Sequence, residues 1–223
     1  MDINTLKKYK VPDFVIEKFK KQNITELNPA QLKAIKQGLF NNNNLLVCTP
    51  TGSGKTAIAT FAITKRLAEH KGKAVYLVPM KALANEKFND YKELFKGSGF
   101  EVAISTGDID SKSEWLDNYD ILILTVEKMD SLLRHHTPWI NSVTTVVIDE
   151  IHLLNDPKRG PTLEILITIL KQLLKNVQLI ALSATIGNPE ELATWLNAEL
   201  VEDNWRPVKL HKGIYLNGEV EFD

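Results

Sequence analysis

Short, nearly continuous apolar runs recur along this chain, at Leu45–Cys48, 74–78, Val102–Ser105, 121–124, Val143–Ile148 and 179–182. A strand with one wet face alternates apolar with polar residues, whereas a run apolar throughout must be covered on both faces. Stretches with helical spacing at 57–67, 83–95, 127–136, 163–174 and Pro189–Leu196 can supply that cover, and the third of them ends at His136. Such alternation predicts an α/β fold with a parallel sheet and helices on both faces. The stretch 163–174 is apolar on most sides and predicts a well-covered helix.

The first of these runs leads straight into Thr49, Pro50, Thr51, Gly52, Ser53, Gly54, Lys55 and Thr56. Gly52 and Gly54 permit backbone angles and close approach that a side chain would block, so successive N–H groups can curl around phosphate oxygens. Lys55 supplies a point charge for β- and γ-phosphates, Thr56 offers a hydroxyl to Mg²⁺, and the helix that starts there directs its positive end at the anion. The strict pattern has Gly where this chain has Thr49. A Gly/Ser turn with a chance lysine is the competing reading, and the strand-loop-helix setting weighs against it.

A later run, Val143–Ile148, ends in Asp149, Glu150, Ile151 and His152. Two carboxylates at the carboxyl end of a buried strand lie where open α/β sheets bind ligands. Asp149 would hold Mg²⁺, while Glu150 would orient and deprotonate a water attacking a γ-phosphorus. Taken alone, the pair could equally be acids at an exposed turn; the phosphate loop upstream favours chemistry.

Flanking segments are less regular. Residues 5–22 are lysine-rich, with Val11, Phe14, Val15 and Phe19 spaced for one amphipathic helix or two broken at Pro12. Asn28, Pro29 and Gln31 predict a capped helix start, with the helix running to about Phe40 before the breaker Asn41, Asn42, Asn43 and Asn44. Alternation stops at Val201, and residues 205–210, ending in Lys209 and Leu210, read as a strand or linker. The expected division is a helical segment over 1–28, a parallel-sheet domain over 29–200 and a linker over 201–223.

With 27 Lys and Arg against 28 Asp and Glu, no global positive field points to nucleic acid, so any such contact must come from local geometry. No apolar run is long enough to span a bilayer, and Met1, Asp2, Ile3 and Asn4 do not begin an export signal, which predicts a cytoplasmic protein without membrane contact. The single cysteine, Cys48, cannot form an internal disulfide and is expected in the core.

Together with Ser183, Ala184 and Thr185, the phosphate loop and the Asp-Glu-Ile-His stretch resemble motifs I, II and III of DExH-box superfamily 2 helicases. Residues 79–86, beginning Pro79-Met80-Lys81, resemble motif Ia, and residues 125–134, beginning Thr125-Val126-Glu127-Lys128, resemble motif Ib. Within the superfamily the chain is most similar to the superkiller-like branch, and there to the archaeal DNA repair helicases, also called Holliday junction migration helicases. Arg159-Gly160-Pro161-Thr162-Leu163-Glu164 and Asn204-Trp205-Arg206-Pro207-Val208 carry that narrower likeness, which extends over nearly the whole chain.

The resemblance implies a RecA-like lobe, with 29–200 as motor domain 1, that binds ATP and Mg²⁺ as part of a 3′-to-5′ DNA helicase acting in repair and stalled-fork processing. It implies that Gln31 reads adenine, its amide presenting a donor and an acceptor, and that Phe14 or Phe19 stacks on the base unless both are core. It gives His152, Ser183 and Thr185 roles in coupling nucleotide state to domain movement. For single-stranded or forked DNA it implies phosphate contacts at Pro79, Lys81, Asn85, Gly107 of the Thr106-Gly107-Asp108 turn, Thr125, Glu127 and Lys128, with Arg134 outermost. Lys81, Lys128 and Arg134 read equally well as solvated charges.

In that family a second RecA-like lobe supplies arginine fingers from a Gln-x-x-Gly-Arg-x-x-Arg motif. Here Arg66, Arg134, Arg159 and Arg206 are isolated. Arginine fingers are worth roughly 10³ to 10⁵ in rate, so this chain alone is expected to bind ATP weakly, to hydrolyse it barely and to need the second lobe as partner. It is expected to be a monomeric amino-terminal piece of a longer helicase. An equivalent lobe of an RNA helicase, and a non-catalytic module that binds nucleic acid or protein, are the alternatives.

Overall fold

The computed structural model describes residues 1–69, 72–107, 114–135, 137–208, 213–216 and 218–222. Asp108, His136, Lys209 and Leu210, on which expectations were placed, lie outside the described residues.

The apolar runs are strands, and all of them enter one sheet. These are β1 (Leu45–Cys48), β2 (Lys73–Val78), β3 (Val102–Ser105), β4 (Ile121–Thr125), β5 (Val143–Ile148) and β6 (Gln178–Ser183), joined by β7 (Glu199–Glu202). Every pairing is parallel, in the order β3-β4-β2-β5-β6-β1-β7. Successive side chains on a strand point to opposite faces, and the sheet accordingly divides two cores. Leu45 and Val47 join Ile58, Phe61, Ile63, Tyr91 and Phe95 on one side, while Leu46 and Cys48 join Met129, Leu166, Ile167 and Leu196 on the other. Helices α3 (Lys55–Glu69) and α4 (Lys81–Phe95) therefore cover the first face. Helices α5 (Val126–Arg134), α6 (Gly160–Leu173) and α7 (Pro189–Leu196) cover the second.

The amino-terminal residues belong to the first core rather than to a free extension. Pro12 separates a 3₁₀ helix, Ile3–Tyr9, from α1 (Asp13–Lys21). Ile3, Leu6, Val11, Val15, Ile16 and Phe19 from these pieces are all buried against the same sheet face.

Four expectations need correction. Helix α2 (Pro29–Lys36) starts at the expected Asn28 cap but stops short of Phe40. Gly38 turns with φ of 90°, and the Asn43 side-chain amide donates to the Gln37 carbonyl, so Leu39 and Phe40 drop into the core on a 3₁₀ turn. The sheet does not end before Val201: β7 pairs with β1, Leu45 opposite Glu199 and Cys48 opposite Glu202. Only Val201 of that strand is buried, and its glutamates protect an open edge, so no apolar run marks it. Within 201–223, residues 205–208 form no strand, and β8 (Gly213–Leu216) pairs antiparallel with β9 (Glu219–Phe222) in a separate hairpin. Finally, α6 is covered on one side only, with Ile165 53% and Leu173 55% exposed.

Cys48 is a core residue at 1% exposure, and burial pushes its thiol up to about 11. Among the described residues no helix is long and apolar enough to cross a membrane.

The one-sided cover of α6 has a direct check. Ile167, fully buried, should lose about 2 to 5 kcal/mol on Ile167→Ala. Ile165→Ala, two positions away on the open side, should change stability by less than about 0.5 kcal/mol, both read by urea unfolding.

Candidate functional site

Parallel strands bring all their carboxyl ends to one edge of the sheet. There β1 runs into the loop 49–54 and then α3, and β5 runs into Asp149 and Glu150. Pairing continues one residue past the strands: the Thr49 N–H donates to the Ser183 carbonyl at 3.3 Å, and the Asp149 N–H to the Leu77 carbonyl at 2.9 Å. Both candidate elements thus leave the sheet from fixed points.

Gly52 and Gly54 have φ of 82° and 81°, the region that glycine alone enters freely. At Gly54 the backbone also passes close to α2, where an added Cβ would lie 2.8 Å from Asn28 Nδ2 and 2.9 Å from Gln31 Nε2. Thr49 explains its departure from the strict motif. It is fully buried, and its hydroxyl bonds the Ser53 hydroxyl at 2.7 Å, bracing the loop from inside. Asn28 Nδ2 donates to the Ser53 carbonyl at 2.8 Å, while Pro50 is buried and Thr51 exposed.

Lys55 lies half-buried with its ammonium donating to the carbonyls of Thr49 at 2.7 Å and Pro50 at 3.3 Å. Burial lowers its pKa, and the charges of Glu150 and Asp149 oppose that shift, so both carboxylates act on it across the crevice. Asp149 is itself held on both oxygens: Oδ1 accepts from the Glu150 N–H at 3.0 Å and Oδ2 from the Tyr76 hydroxyl at 2.9 Å. Glu150 takes a left-handed backbone, φ 52° and ψ 44°, sparsely populated by non-glycine residues. That bend swings the chain into a 3₁₀ helix, Ile151–Asn155, and sets His152 Nδ1 3.3 Å from Glu150 Oε2.

Tyr76 is the residue that sequence reasoning missed. Its ring is fully buried, and burial followed by the Asp149 charge holds the phenol well above its usual range. It therefore stays a donor. Beside it, at 5.5 Å between ring centres, Tyr91 bonds the Thr60 hydroxyl at 3.1 Å. A tyrosine inside an aliphatic strand was the available signal, since a buried phenol needs a partner for its polar tip.

Of the two residues expected to hold a metal, Thr56 lies in the first turn of α3 and Asp149 directly after β5, where the Tyr76 hydroxyl bonds its carboxylate. Oxygen donors of this kind suit a hard divalent cation, which keeps waters or takes phosphate oxygens for its remaining positions. Among the described residues no group of three or more His, Cys, Asp and Glu side chains could hold a metal.

Gln31 is only 4% exposed. Its carbonyl accepts from the Asn28 N–H at 3.0 Å and its N–H donates to Asn28 Oδ1 at 2.9 Å, closing a capping box. The acceptor expected to face a base is therefore engaged by the cap. Phe14 packs edge-on against Phe95 in the core, and Phe19 packs on Phe61 at 5.3 Å. Ser183 is fully buried with no hydrogen-bond partner for its hydroxyl among the described residues, and Thr185 is exposed.

The expected nucleic-acid contacts lie at the ends of β2, β4 and β3, on the other half of the same edge. Lys81 and Asn85 are exposed on the first turns of α4; Gly107, with φ of 101°, brings its Cβ position within 3.5 Å of Lys81 Nζ. Pro79 is buried, and Thr125, 2% exposed, caps α5 by accepting from the Lys128 N–H. Glu127 is exposed, but Lys128 is only 3% exposed, which corrects its reading as a solvated charge. Arg134 is spent on Asp130 at 2.9 Å.

A family model described as DEAD/DEAH box helicase matches residues 28–192. The chain is 53% identical over 211 residues to the ATP-dependent DNA helicase Hel308 of Pyrococcus horikoshii, covering 95% of this chain and 29% of that protein. It is 50% identical over 216 residues to the same-named helicase of Methanocaldococcus jannaschii, covering 94% and 18%. It thus spans less than a third of these relatives. Among solved structures, the DUF1998 helicase MrfA bound to DNA and AMPPNP superposes with a TM-score of 0.75 at 26% identity, over 87% of this chain and 29% of that one.

Gly54→Ala should destabilise the chain by about 1 to 2 kcal/mol through the left-handed backbone alone, and displace Asn28 from Ser53. Gly52→Ala meets open space and should show the backbone cost only. Thermal unfolding of the two variants side by side separates the two effects.

Proposed function

The chain belongs to the DEAD/DEAH box helicase family, and from that premise we propose that it is the ATP-binding motor lobe of a larger DNA helicase. The carrying observation is that β1 and β5, on either side of β6, deliver Lys55 and the pair Asp149 and Glu150 to the same edge of the sheet, where both carboxylates act on the ammonium. The names of the relatives, and the DNA and AMPPNP in the MrfA structure, support the choice of ATP and DNA.

In this reading the loop from Thr49 to Gly54 wraps the phosphates with its N–H groups, and Lys55 neutralises charge on the β- and γ-phosphoryl oxygens. Thr56 and Asp149 would hold Mg²⁺, which would offset the charge that builds on the phosphates during cleavage. Glu150 orients a water in line with the γ-phosphorus and takes its proton. The new P–O bond forms as the bond to the β-phosphate oxygen breaks, releasing ADP and phosphate. Tyr76 holds Asp149 in place by donating to its carboxylate. Ser183, Thr185 and His152 relay the nucleotide state to a second RecA-like lobe, which supplies the arginine fingers. Single-stranded DNA runs along the other half of the edge, over Lys81, Asn85 and Gly107, gripped by its phosphates and read without base preference.

Calorimetric titration of the chain with ATP, with Mg²⁺ and then with EDTA, tests the core of this reading. Affinity should fall at least tenfold in EDTA and again in Lys55→Ala; equal binding in all three would overturn it. A finer variant follows from the buried phenol. Tyr76→Phe should leave EDTA-resistant binding unchanged but raise the Mg²⁺ needed for half-maximal ATP affinity about tenfold or more, reflecting one lost hydrogen bond to a charged group of about 1.5 kcal/mol or more.

A further inference from the structure

A cavity of about 670 Å³ opens beside the phosphate loop, walled by Gly54, Thr56, Phe19, Gln31, Trp205 and Pro207. Its size suits a nucleotide. With loop glycines and Thr56 on one part of its wall, a triphosphate gripped there leaves its nucleoside against the rest. Three aromatic rings line that remainder. Phe19 is 8% exposed and packed on Phe61, and Tyr91 is 1% exposed, stacked on Phe95 and bonded to Thr60. Trp205, at 37% exposed, is the one of the three with a free face.

Its position is built rather than incidental. Lys33 of α2 donates to the Glu202 carbonyl at 2.8 Å and pairs with Asp203 Oδ2 at 2.7 Å. Asp203 Oδ1 in turn accepts from the Trp205 N–H at 2.7 Å. The helix that carries Gln31 thus pins the segment leaving β7, so Trp205 and Gln31 are held as one unit. The next residue, Arg206, lies near enough to Lys55 for its charge to depress the lysine pKa. The segment therefore passes both the phosphate end and the open cavity.

We propose that residues 203–207 form a strap along the nucleotide cleft and that Trp205 is the platform on which the base stacks. This rests on the nucleotide reading given above. The observation supporting it is an indole with a free face on the cavity wall, pinned by Lys33 and Asp203 to the helix of Gln31. Stacking is tolerant of base identity because every base has a π-face. Trp205 consequently supplies affinity without choosing the base.

The test is calorimetry on this chain with Mg²⁺ and ATP, GTP or inorganic tripolyphosphate. Trp205→Ala should weaken ATP and GTP by a similar factor, about tenfold, and leave tripolyphosphate unchanged, while Trp205→Phe should stay within about threefold of the parent. Lys33→Ala, which frees the strap without touching the cavity wall, should weaken ATP less than Trp205→Ala does. Unchanged ATP affinity in Trp205→Ala would overturn the proposal and leave the nucleotide reading standing. Equal loss for ATP and tripolyphosphate would overturn it too, assigning Trp205 to support of the loop. If the parent chain and Lys55→Ala both fail to bind ATP, the nucleotide reading falls, and the strap with it.

Discussion

The parallel register of β1, β6 and β5 is the constraint on which the site depends. Cys48 lies opposite Ser183, and Ile148 opposite Ala181, so three segments far apart in sequence leave the sheet side by side. In an antiparallel sheet alternate strands would send these ends to opposite sides of the molecule. Parallel pairing requires each connection to cross a face, and those crossings are the helices that bury both sides of the sheet. The continuous apolar strands and the convergence of Lys55 with Asp149 and Glu150 thus have one cause.

The strand order divides the edge into two halves. Moving from β1 through β6 to β5, the exits are the phosphate loop, Ser183 with Thr185, and the carboxylate pair; from β2 through β4 to β3 they are Pro79, Thr125 and Gly107. The halves meet where β5 pairs with β2, and Tyr76 sits on β2 at that seam with its hydroxyl on Asp149 of the neighbouring strand. A hydrogen bond across the seam is a physical link between the two proposed ligands. Asp149 also donates its N–H to the Leu77 carbonyl, two residues before Pro79.

Legibility in the sequence followed burial. Strands buried on both faces announced themselves, and β3 and α7 have the bounds that their patterns predicted. The phosphate loop was legible because positive φ leaves few alternatives to glycine at 52 and 54. What stayed hidden was decided by neighbours that are distant in sequence. Edge strand β7 has one buried residue and so no period to read. Lys128 looked solvated, yet α5 buries much of its first turns, including Val126 and Met129, and carries the lysine inward with them. Tyr76 passed for a core aromatic because nothing local shows that Asp149, on the adjacent strand, would meet its hydroxyl. Trp205 read as part of a linker, and only the long-range pairing of Lys33 with Asp203 turns that linker back against α2.

The loop holds its shape independently of the lysine it serves, and this bears on how tightly a phosphate can be bound. Bonds between Thr49 and Ser53 and between Asn28 and Ser53 fix the curl, so its ordering is already complete in the folded chain. Lys55, however, is already satisfied by two carbonyls of the loop. A phosphate therefore exchanges neutral acceptors for charged ones, and gains only the difference between hydrogen bonds that differ roughly twofold in strength. Glu150 and Asp149 reduce that gain further by stabilising the ammonium before any anion arrives, and a triphosphate must also tolerate their negative charge. In the proposed reading a cation between Thr56 and Asp149 would relieve that repulsion, so anion and metal would bind together far better than either would alone.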